Sequence, residues 1–337
     1  MISSESTMGV RLGRTDYADQ FEPVLQEFLG RYPKDGMYVP IHDLLGSGGK
    51  RIRPAMVLAA AEACGGQIAD AMPAALAVEL FHNFTLLHDD IMDEAPMRRG
   101  RPTAYATWGR DATILSGDAL HAMACEALLD APAEALEPLL RRFHRTAIEV
   151  CEGQQLDMEF ESRPDAGAGA VTIERYTEMI RLKTAVLLAA SLSMGAMSAA
   201  ASPEAINQLY SFGLHLGLAF QLQDDFLDAF GDPVRTGKQV GGDILSDKKT
   251  YLRIHVFAAD PSLDSRKWEP SDLEEKIAFY LDAYTLHGSA HAIVGGISNE
   301  VAQASDALLE ISDDLPGPDH ALSFLTNLAE NIATRTS

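Results

Sequence analysis

The stretch ELFHNFTLLHDDIMDE, residues 79–94, decides the fold that we expect for this chain. Its apolar residues recur at spacings of three and four, the period of an α-helix with one buried stripe: Leu80, Phe84, Leu87 and Ile91. The same helix carries a polar stripe that begins with His82 and Thr85. This stripe ends at Asp89 and Asp93, which lie one turn apart, whereas Asp90 is rotated away by about 100°. The stretch therefore predicts an apolar helix that ends in a cluster of carboxylates.

A second stretch, FQLQDDFLDAFGD at residues 220–232, repeats the pattern. It places Asp224, Asp225 and Asp228 at the end of another apolar helix, and Gln221 lies on the polar stripe that leads to them. Carboxylates on one helix face repel one another unless a cation compensates. Mg²⁺ suits such a cluster, because it prefers oxygen ligands and commonly joins one or two carboxylates to substrate phosphates. A solvated acidic face would explain one cluster, but two clusters on apolar helices favour a magnesium–diphosphate site.

Basic residues are concentrated near these clusters although the chain as a whole is acidic. In GSGGKRIRP, residues 46–54, Lys50 and Arg51 follow a flexible glycine pair at the start of a helix. Backbone N–H groups, the helix dipole and two cations there suit a phosphate. The other basic residues follow the acidic clusters or interrupt an apolar helix: Arg98 and Arg99, Lys238 and Lys248, and Lys183 beside Thr184. A lone cation on an apolar helix, as at Lys183, needs a buried partner.

The rest of the chain also has helical spacing. Hydrophobic residues make up 47% of the 337 positions and only 7% are aromatic; Ala and Leu dominate the apolar set and favour helix over sheet. Helices are predicted at residues 17–30, 51–64, 70–93, 113–130, 133–161, 172–200, 203–230, 247–259, 271–286, 290–311 and 319–334. Because convincing alternating strands and breaks in composition are absent, we expect one all-α domain over residues 1–337.

The charge and the cysteine content exclude several functions. The formal net charge is -22 and the sequence pI is about 4.7, so the chain repels nucleic acid and anionic lipid surfaces. Three cysteines without metal-ligand spacing indicate free thiols in a reducing compartment. The N-terminus lacks the apolar core of a signal peptide, and the uncharged stretch 184–203 suits a packed bundle helix better than a membrane span. We therefore expect a soluble, cytoplasmic protein without stable membrane insertion.

Taken in order, these motifs resemble those of the trans-isoprenyl diphosphate synthases, or polyprenyl synthetases, a family that includes geranylgeranyl and farnesyl diphosphate synthases. The resemblance covers residues 46–252 through GGKRIRP, ELFHNFTLLHDDIMD, RRGRPT, GQQLD, KT, FQLQDDFLD and GKQVGGDILSDKKT; residues 253–337 match only as a helical part. It implies the all-α isoprenoid synthase helical bundle with a central active-site cavity, and a homodimer. It also implies a Mg²⁺-dependent prenyltransferase whose substrates are isopentenyl diphosphate and an allylic diphosphate.

The resemblance further implies roles for individual residues. The principal Mg²⁺ ligands would be Asp89, Asp93 and Asp224, and Asp90, Asp225 and Asp228 would act through water, with three ions in each substrate-bound site. The diphosphate of isopentenyl diphosphate would be held by Lys50, Arg51, His82 and Arg99. The allylic diphosphate would be held by Arg98, Lys183, Lys238 and Lys248, with Thr184 and Gln221 beside the reacting carbons. No role is implied for Gln154 and Asp157 of the GQQLD motif.

The residues before the first acidic cluster bear on the length of the product. In this family the growing chain runs along the helix that carries the first acidic cluster, so bulky residues before the cluster act as a floor. Thr85 lies four residues before Asp89, Phe84 lies five before it, and Phe81 lies eight before it, or about 12 Å along a helix. One aromatic residue at the fifth position, without an insertion in the cluster, resembles the geranylgeranyl synthases. We expect a C20 product, geranylgeranyl diphosphate, with C15 farnesyl diphosphate as the alternative.

Two other functions fit the motifs less well. A class I terpene cyclase has a different second metal motif and no GGKRIRP segment for a second diphosphate. A non-catalytic partner subunit of a prenyl synthase tends to lose its aspartate motifs, whereas this chain keeps both.

Overall fold

Helices form most of the regular structure in the computed structural model, which describes residues 15–98, 100–232, 240–265, 268–269 and 272–334. In chain order they are α1 (Asp16–Leu29), α2 (Tyr38–Gly46), α3 (Ile52–Ala63), α4 (Ile68–Met92), α5 (Ala104–Trp108), α6 (Arg110–Leu128), α7 (Ala133–Glu161), α8 (Ile173–Ile180), α9 (Val186–Ser198), α10 (Pro203–Phe230), α11 (Gly242–Leu245), α12 (Tyr251–Ala259), α13 (Leu273–Leu286), α14 (Ser289–Ser312) and α15 (Asp319–Thr334). A five-residue π-helical turn, Arg181–Ala185, joins α8 to α9, and a 3₁₀ turn, Pro261–Ser265, follows α12.

The all-α prediction is confirmed, and most predicted helices agree with the structure within a few residues. Threonine caps explain several of the starting points, because the side chains of Thr15, Thr103 and Thr172 each accept a hydrogen bond from a backbone N–H of the first turn. The sequence did not predict the short helices α2 and α5. The helix predicted from residue 247 starts four residues later, since Asp247 has a φ of 55° in the left-handed region.

A small hairpin follows the first acidic cluster. Its two-residue strands, β1 (Met97–Arg98) and β2 (Arg101–Pro102), pair antiparallel. Gly100 in the turn between them has a φ of 75°, which a residue without a Cβ adopts at little cost. The hairpin fixes the position of Arg98 beside the end of α4.

The residues group into two compact units, of which the first comprises Met1–Arg142, Ser191–Ile206 and Asp314–Leu325. Within it α4 packs against α3 and α6, and the alanines of α3 and those of α4 from Ala71 onward are buried. Small residues let the helices approach closely. A Cβ added to Gly195 would lie 2.1 Å from the carbonyl oxygen of Val57, and one on Gly117 would lie 2.3 Å from Nε2 of His88.

The second unit comprises Phe143–Ala190, Asn207–Asp313 and Thr326–Ser337. Two helices close tightly on the π-helical turn within it. A Cβ on Gly153 of α7 would lie 2.3 Å from the backbone nitrogen of Lys183, and one on Gly217 of α10 would lie 2.5 Å from Cα of Ala185. π turns occur often at functional sites, and this one carries Lys183.

An ion cluster ties the segment after α7 to α12 in the second unit. One carboxylate oxygen of Asp165 accepts from Nζ of Lys249 at 2.7 Å and from Nε of Arg253 at 2.6 Å. The other accepts from Nη2 of Arg253 at 2.7 Å. Burial raises the pKa of Asp165, but these hydrogen bonds outweigh it and leave the pKa below the usual range.

Among the described residues, one continuous helical segment, Ile173–Ser198, is long and apolar enough to cross a membrane. However, 83% of its most apolar window is buried inside the protein, as in the core helix of a soluble protein. This burial agrees with the packed helix predicted for residues 184–203.

Candidate functional site

The first acidic cluster lies where α4 ends. Asp93 caps the helix, and its backbone N–H donates to the carbonyl oxygen of Asp89 at 2.9 Å. Arg98 contacts both neighbouring carboxylates: Nη2 donates to Oδ2 of Asp89 at 2.9 Å, and Nε donates to Oδ1 of Asp90 at 2.7 Å. Burial raises the pKa of Asp90, which is 3% exposed, while Arg98 opposes that rise. Arg98 therefore offsets part of the negative charge of Asp89 and Asp90.

Arg51 of the GGKRIRP segment is turned into the protein. It precedes α3 with a φ of 49° and is 5% exposed. Its Nη1 donates to Oε1 of Glu79 at 2.7 Å, and its Nε donates to Oε2 of Glu22 at 3.1 Å. All three guanidinium nitrogens donate within the protein, and the side chain is 3% exposed, against 29% for Arg98. The geometry therefore favours an internal role for Arg51 over the predicted phosphate-binding role.

In the GGKRIRP segment, Arg53 is the arginine that contacts a predicted site residue, His82. The sequence did not single out Arg53. Its Nη1 is 3.1 Å from Nε2 of His82. A guanidinium can only donate, so Nε2 of His82 is the accepting nitrogen of that ring. Thr85 donates its hydroxyl to the carbonyl oxygen of His82 at 2.8 Å. No local pattern separates Arg51 from Arg53, since both follow Lys50 in one short basic run.

The predicted floor residues belong to an aromatic group on α4 and α6. The ring centroids of Phe81 and Phe84 are 5.4 Å apart. His121 of α6 lies 5.9 Å from the ring of Phe81 and 5.3 Å from that of Phe84, and His88 lies 4.7 Å from Phe84. Phe81 is 1% exposed. The structure thus shows that His121 and His88 pack against the aromatic side chains predicted to act as the floor.

In the second acidic cluster, Asp225 is held by three donors. The hydroxyl of Tyr176, the backbone N–H of Tyr251 at 3.2 Å and Nε2 of Gln221 at 3.2 Å all donate to its carboxylate. Burial nevertheless raises the pKa of Asp225 to about 6. A carboxylate so fully engaged fits an indirect role in metal binding better than direct ligation.

Asp243, in the first turn of α11, joins this cluster. Its backbone N–H donates to Oδ2 of Asp228 at 2.9 Å. Burial raises the pKa of Asp243 to about 7; the charges of Asp225, Asp228 and Asp224 add to the rise, and Lys248 opposes it. The sequence showed Asp243 only as part of a basic segment.

Lys183 lies in the π-helical turn and has the buried partner that the sequence required. Its Nζ donates to Oδ2 of Asp157 at 2.6 Å, and the two side chains are 22% and 14% exposed. Asp157 is the aspartate of the GQQLD motif, to which sequence reasoning gave no role. Next to Lys183, Thr184 donates its hydroxyl to Oε1 of Gln221 at 3.2 Å.

Two predicted site residues, Arg99 and Lys238, lie outside the described residues. Within the described part of the chain, no three His, Cys, Asp or Glu side chains are grouped so that they could hold a metal ion by themselves. Mg²⁺ typically uses one or two carboxylates together with water and substrate phosphates. The donor set of each cluster, which consists of aspartate oxygens, is chemically suited to that ion.

The sequence model of the polyprenyl synthetase family matches residues 34–275. This chain belongs to the polyprenyl synthetase family. The matched range includes the GGKRIRP segment, both acidic clusters and Lys183, so the family relationship rests on the segments whose geometry is described above. The resemblance stated from the motifs is confirmed.

Curated relatives and solved structures agree with this assignment. A geranylgeranyl diphosphate synthase of Mycobacterium tuberculosis is 46% identical over 280 residues, or 81% of this chain and 78% of the relative. A (2E,6E)-farnesyl diphosphate synthase of Mycobacterium bovis is 45% identical over 295 residues, or 85% and 80% of the two chains. A crystal structure of a geranylgeranyl pyrophosphate synthase superposes with a TM-score of 0.86 at 38% identity, covering 95% of this chain and 98% of the other. This polyprenyl synthetase is a prenyltransferase with the helical isoprenoid synthase fold.

Proposed function

We propose that this polyprenyl synthetase condenses isopentenyl diphosphate with allylic diphosphates and releases geranylgeranyl diphosphate. The observation that carries the proposal is a basic group in a segment of the chain other than those with the acidic clusters: Arg53 lies 3.1 Å from His82, and its segment also contains Lys50. The family resemblance assigns the acidic clusters, with Arg98, Lys183 and Lys248, to one diphosphate. An enzyme that binds a second diphosphate needs the additional cations, whereas a cyclase acting on a single diphosphate does not.

Magnesium is the cofactor that suits the two acidic clusters. Asp89, Asp93 and Asp224 would ligate it directly, and three ions would occupy each substrate-bound site. The indirect set is Asp90, Asp225 and Asp228, and the contacts of Asp225 with Tyr176, Gln221 and Tyr251 support its place in that set. When bound, Mg²⁺ neutralises the charge that develops on the departing pyrophosphate.

The protein's own cations hold the two substrates in the proposed reaction. Lys183, Lys248, Arg98 and Lys238 bind the oxygens of the allylic diphosphate. Lys50, Arg53, His82 and Arg99 bind the diphosphate of isopentenyl diphosphate; here Arg53 replaces Arg51, whose guanidinium is satisfied internally. Asp157 fixes the ammonium of Lys183 by a 2.6 Å contact, so that this cation is oriented before substrate arrives.

The reaction breaks one bond and makes another. The allylic C–O bond ionises, and its electron pair leaves with pyrophosphate. The double bond of isopentenyl diphosphate then attacks the allylic cation, with Thr184 and Gln221 beside the reacting carbons. A proton is lost from the product cation to the departed pyrophosphate. Apolar walls exclude water, which would otherwise capture the cation.

The aromatic group on α4 supports a C20 product. Phe84 and Phe81 stand one to two turns before Asp89, or about 7 to 12 Å along the helix. Contacts with His121 and His88 hold the Phe84 ring in place. The two mycobacterial relatives carry a C20 and a C15 name at nearly equal identity, so the choice of C20 rests on this floor, and C15 is the alternative.

Assembly and location follow from the same family expectation. We expect one domain, a homodimer and a cytoplasmic location, without nucleic acid or stable membrane insertion. Size-exclusion chromatography with light scattering tests the dimer.

One assay tests the function. Purified protein is incubated with isopentenyl diphosphate and a C5, C10 or C15 allylic diphosphate, with Mg²⁺ or with EDTA, and products are identified by mass and chain length. We expect condensation only with Mg²⁺, with C20 as the longest main product. No condensation with any allylic partner would refute the enzymatic proposal, and a single cyclised product would favour a cyclase. A main product that stops at C15 would refute only the product assignment.

A further inference from the structure

Arg51 has a conformation and a set of neighbours that the binding roles proposed above do not explain. It is not a glycine, yet its φ of 49° lies in the left-handed region. That region is unfavourable for a residue with a Cβ, and such a conformation persists where the surroundings hold it in place. The buried contacts of its guanidinium supply that restraint.

The guanidinium of Arg51 reaches three neighbouring helices. It donates to Glu22 of α1 at 3.1 Å, to Glu79 of α4 at 2.7 Å and to the carbonyl oxygen of Leu45 at 2.6 Å. Leu45 lies in the last turn of α2, where carbonyl oxygens have no partner within the helix and a cation is favoured. These contacts therefore hold the segment 46–51 at both ends. Leu45 directly precedes the segment, and Arg51 is its last residue.

The carboxylate of Glu79 is also held by hydrogen bonds within the protein. Its carboxylate Oε1 accepts from Nδ2 of Asn83 at 3.2 Å, and the same amide donates to the carbonyl oxygen of Glu79 at 2.8 Å. The side chain of Glu79 is 7% exposed. Arg51, Glu79 and Asn83 thus form a buried, charge-assisted network whose strength depends on the planar fork of the guanidinium.

The residues on either side of Arg51 are those with a proposed binding role. Lys50 precedes it, and Gly49 passes close to the guanidinium, since a Cβ there would lie 3.7 Å from Nη1 of Arg51. Arg53 follows in the first turn of α3 and contacts His82. A displacement of Arg51 would therefore move the proposed binding groups on both sides.

We propose that Arg51 is a positioning residue that fixes segment 46–50 and the start of α3, and through them the anion-binding groups of Lys50 and Arg53. The identity of the anion, the diphosphate of isopentenyl diphosphate, rests on the proposed function. Arg51 acts through its carboxylate partners and does not contact the substrate.

Glu79→Gln gives the sharpest test, because Glu79 is buried and bound to Arg51. If Arg51 positions the segment, weakening its main ion pair raises KM for isopentenyl diphosphate by about tenfold, the size expected when a group that orients a ligand-binding residue is lost. KM for the allylic substrate changes by less than about twofold. If Arg51 binds the diphosphate directly, Glu79→Gln leaves KM for isopentenyl diphosphate unchanged, which overturns the proposal. Arg141→Met, at an exposed helical ion pair, is the control and should leave both KM values unchanged.

A double-mutant cycle separates positioning from direct contact. Arg51→Met alone and Lys50→Ala alone should each raise KM for isopentenyl diphosphate, whereas their combination should raise it little beyond the larger single effect. Additive effects would mean independent contacts and would overturn the proposal. Adding Glu79→Gln to Arg51→Met removes the unpaired buried charge and should restore the melting temperature but not KM. Recovery of KM as well would mean that Arg51 matters only for stability.

The wild-type assay distinguishes failure of this proposal from failure of the proposed function. Absence of condensation in the wild type refutes the proposed function alone. In that case the same variants are compared by calorimetric titration with inorganic pyrophosphate, where Glu79→Gln should raise Kd by about tenfold. An unchanged Kd refutes the role of Arg51. Condensation in the wild type with unchanged KM in Glu79→Gln likewise refutes that role while the proposed function stands.

Discussion

Replacing Gly153 by alanine tests how closely α7 approaches the turn that carries Lys183. Gly153 is buried, and a Cβ there would lie 2.3 Å from the backbone nitrogen of Lys183 and 2.7 Å from the carbonyl carbon of Leu182. Both atoms belong to the backbone, so no side chain can rotate away. The two segments would have to separate by about 1 Å to reach ordinary van der Waals distance.

The expected cost follows from that displacement. Overpacking of a close contact costs about 3 kcal/mol, and the better helix propensity of alanine returns about 1 kcal/mol. The entropy of unfolding for a chain of 337 residues is about 0.7 kcal/mol per kelvin, so a net loss of about 2 kcal/mol lowers the melting temperature by about 3 °C. Because the displaced turn carries Lys183 and Thr184, kcat/KM for the allylic substrate should fall by about tenfold or more.

Differential scanning calorimetry and steady-state kinetics measure both effects against a matched glycine. Gly295 lies in α14, and nothing stands within 4 Å of a Cβ added to it. Gly295→Ala gains helix propensity without a clash, so its melting temperature should rise by about 1 °C. If Gly153→Ala proved as stable as Gly295→Ala and equally active, the close approach of α7 to the π turn would be refuted.

The Asp157–Lys183 ion pair, the ion cluster of Asp165 and the aromatic group on α4 give three more expectations. Asp157→Asn removes the negative partner of a Lys183 side chain that is only 22% exposed, so we expect the unfolding free energy measured in urea to fall by about 2 kcal/mol. Asp165 has a lowered pKa because hydrogen bonds from Arg253 and Lys249 outweigh its burial. The ionised carboxylate of Asp165 therefore stabilises the folded protein fully above the pKa of an unfolded aspartate, about 4. That stabilisation is lost as the pH falls through the lower pKa of the folded state. The difference in stability between the wild type and Asp165→Asn should thus shrink below about pH 4. Phe84→Ala removes the ring that contacts Phe81 and His121 and should yield products longer than C20, identified by mass spectrometry.

Each of these three has a control or a contradicting result. Asp130→Asn breaks an exposed 3.4 Å pair with Arg31 and should change the unfolding free energy by less than about 0.5 kcal/mol. A constant stability difference for Asp165→Asn down to about pH 3 would contradict the linkage argument. Phe324→Ala removes an edge contact with Tyr17 and should leave product length unchanged; the same result for Phe84→Ala would refute the floor.

Local sequence was sufficient to place most of the helices. Apolar spacing of three and four, with breakers between the segments, predicted residues 133–161, 203–230 and 319–334 with the bounds that the structure has. These signals act within four residues along the chain, so a single sequence contains them in full. The sequence did not predict α5, because its five residues, Ala104–Trp108, are too few to show a period. It did not predict α2 either, because Pro40 stands in the first turn of that helix.

The sequence by itself also determined which residue types could build the site: two aspartate clusters, a basic glycine-rich segment and a lone lysine in an apolar helix. Tertiary structure decided which partner each one has. Arg51 and Arg53 stand two positions apart, yet Arg51 is satisfied by Glu22 and Glu79, 29 and 28 residues away along the chain, while Arg53 meets His82. Asp157 finds Lys183 across 26 residues. The reason is physical: spacing fixes the face of a helix on which a charge lies, but only the packing of distant helices determines whether that charge is neutralised inside the protein or presented to a ligand.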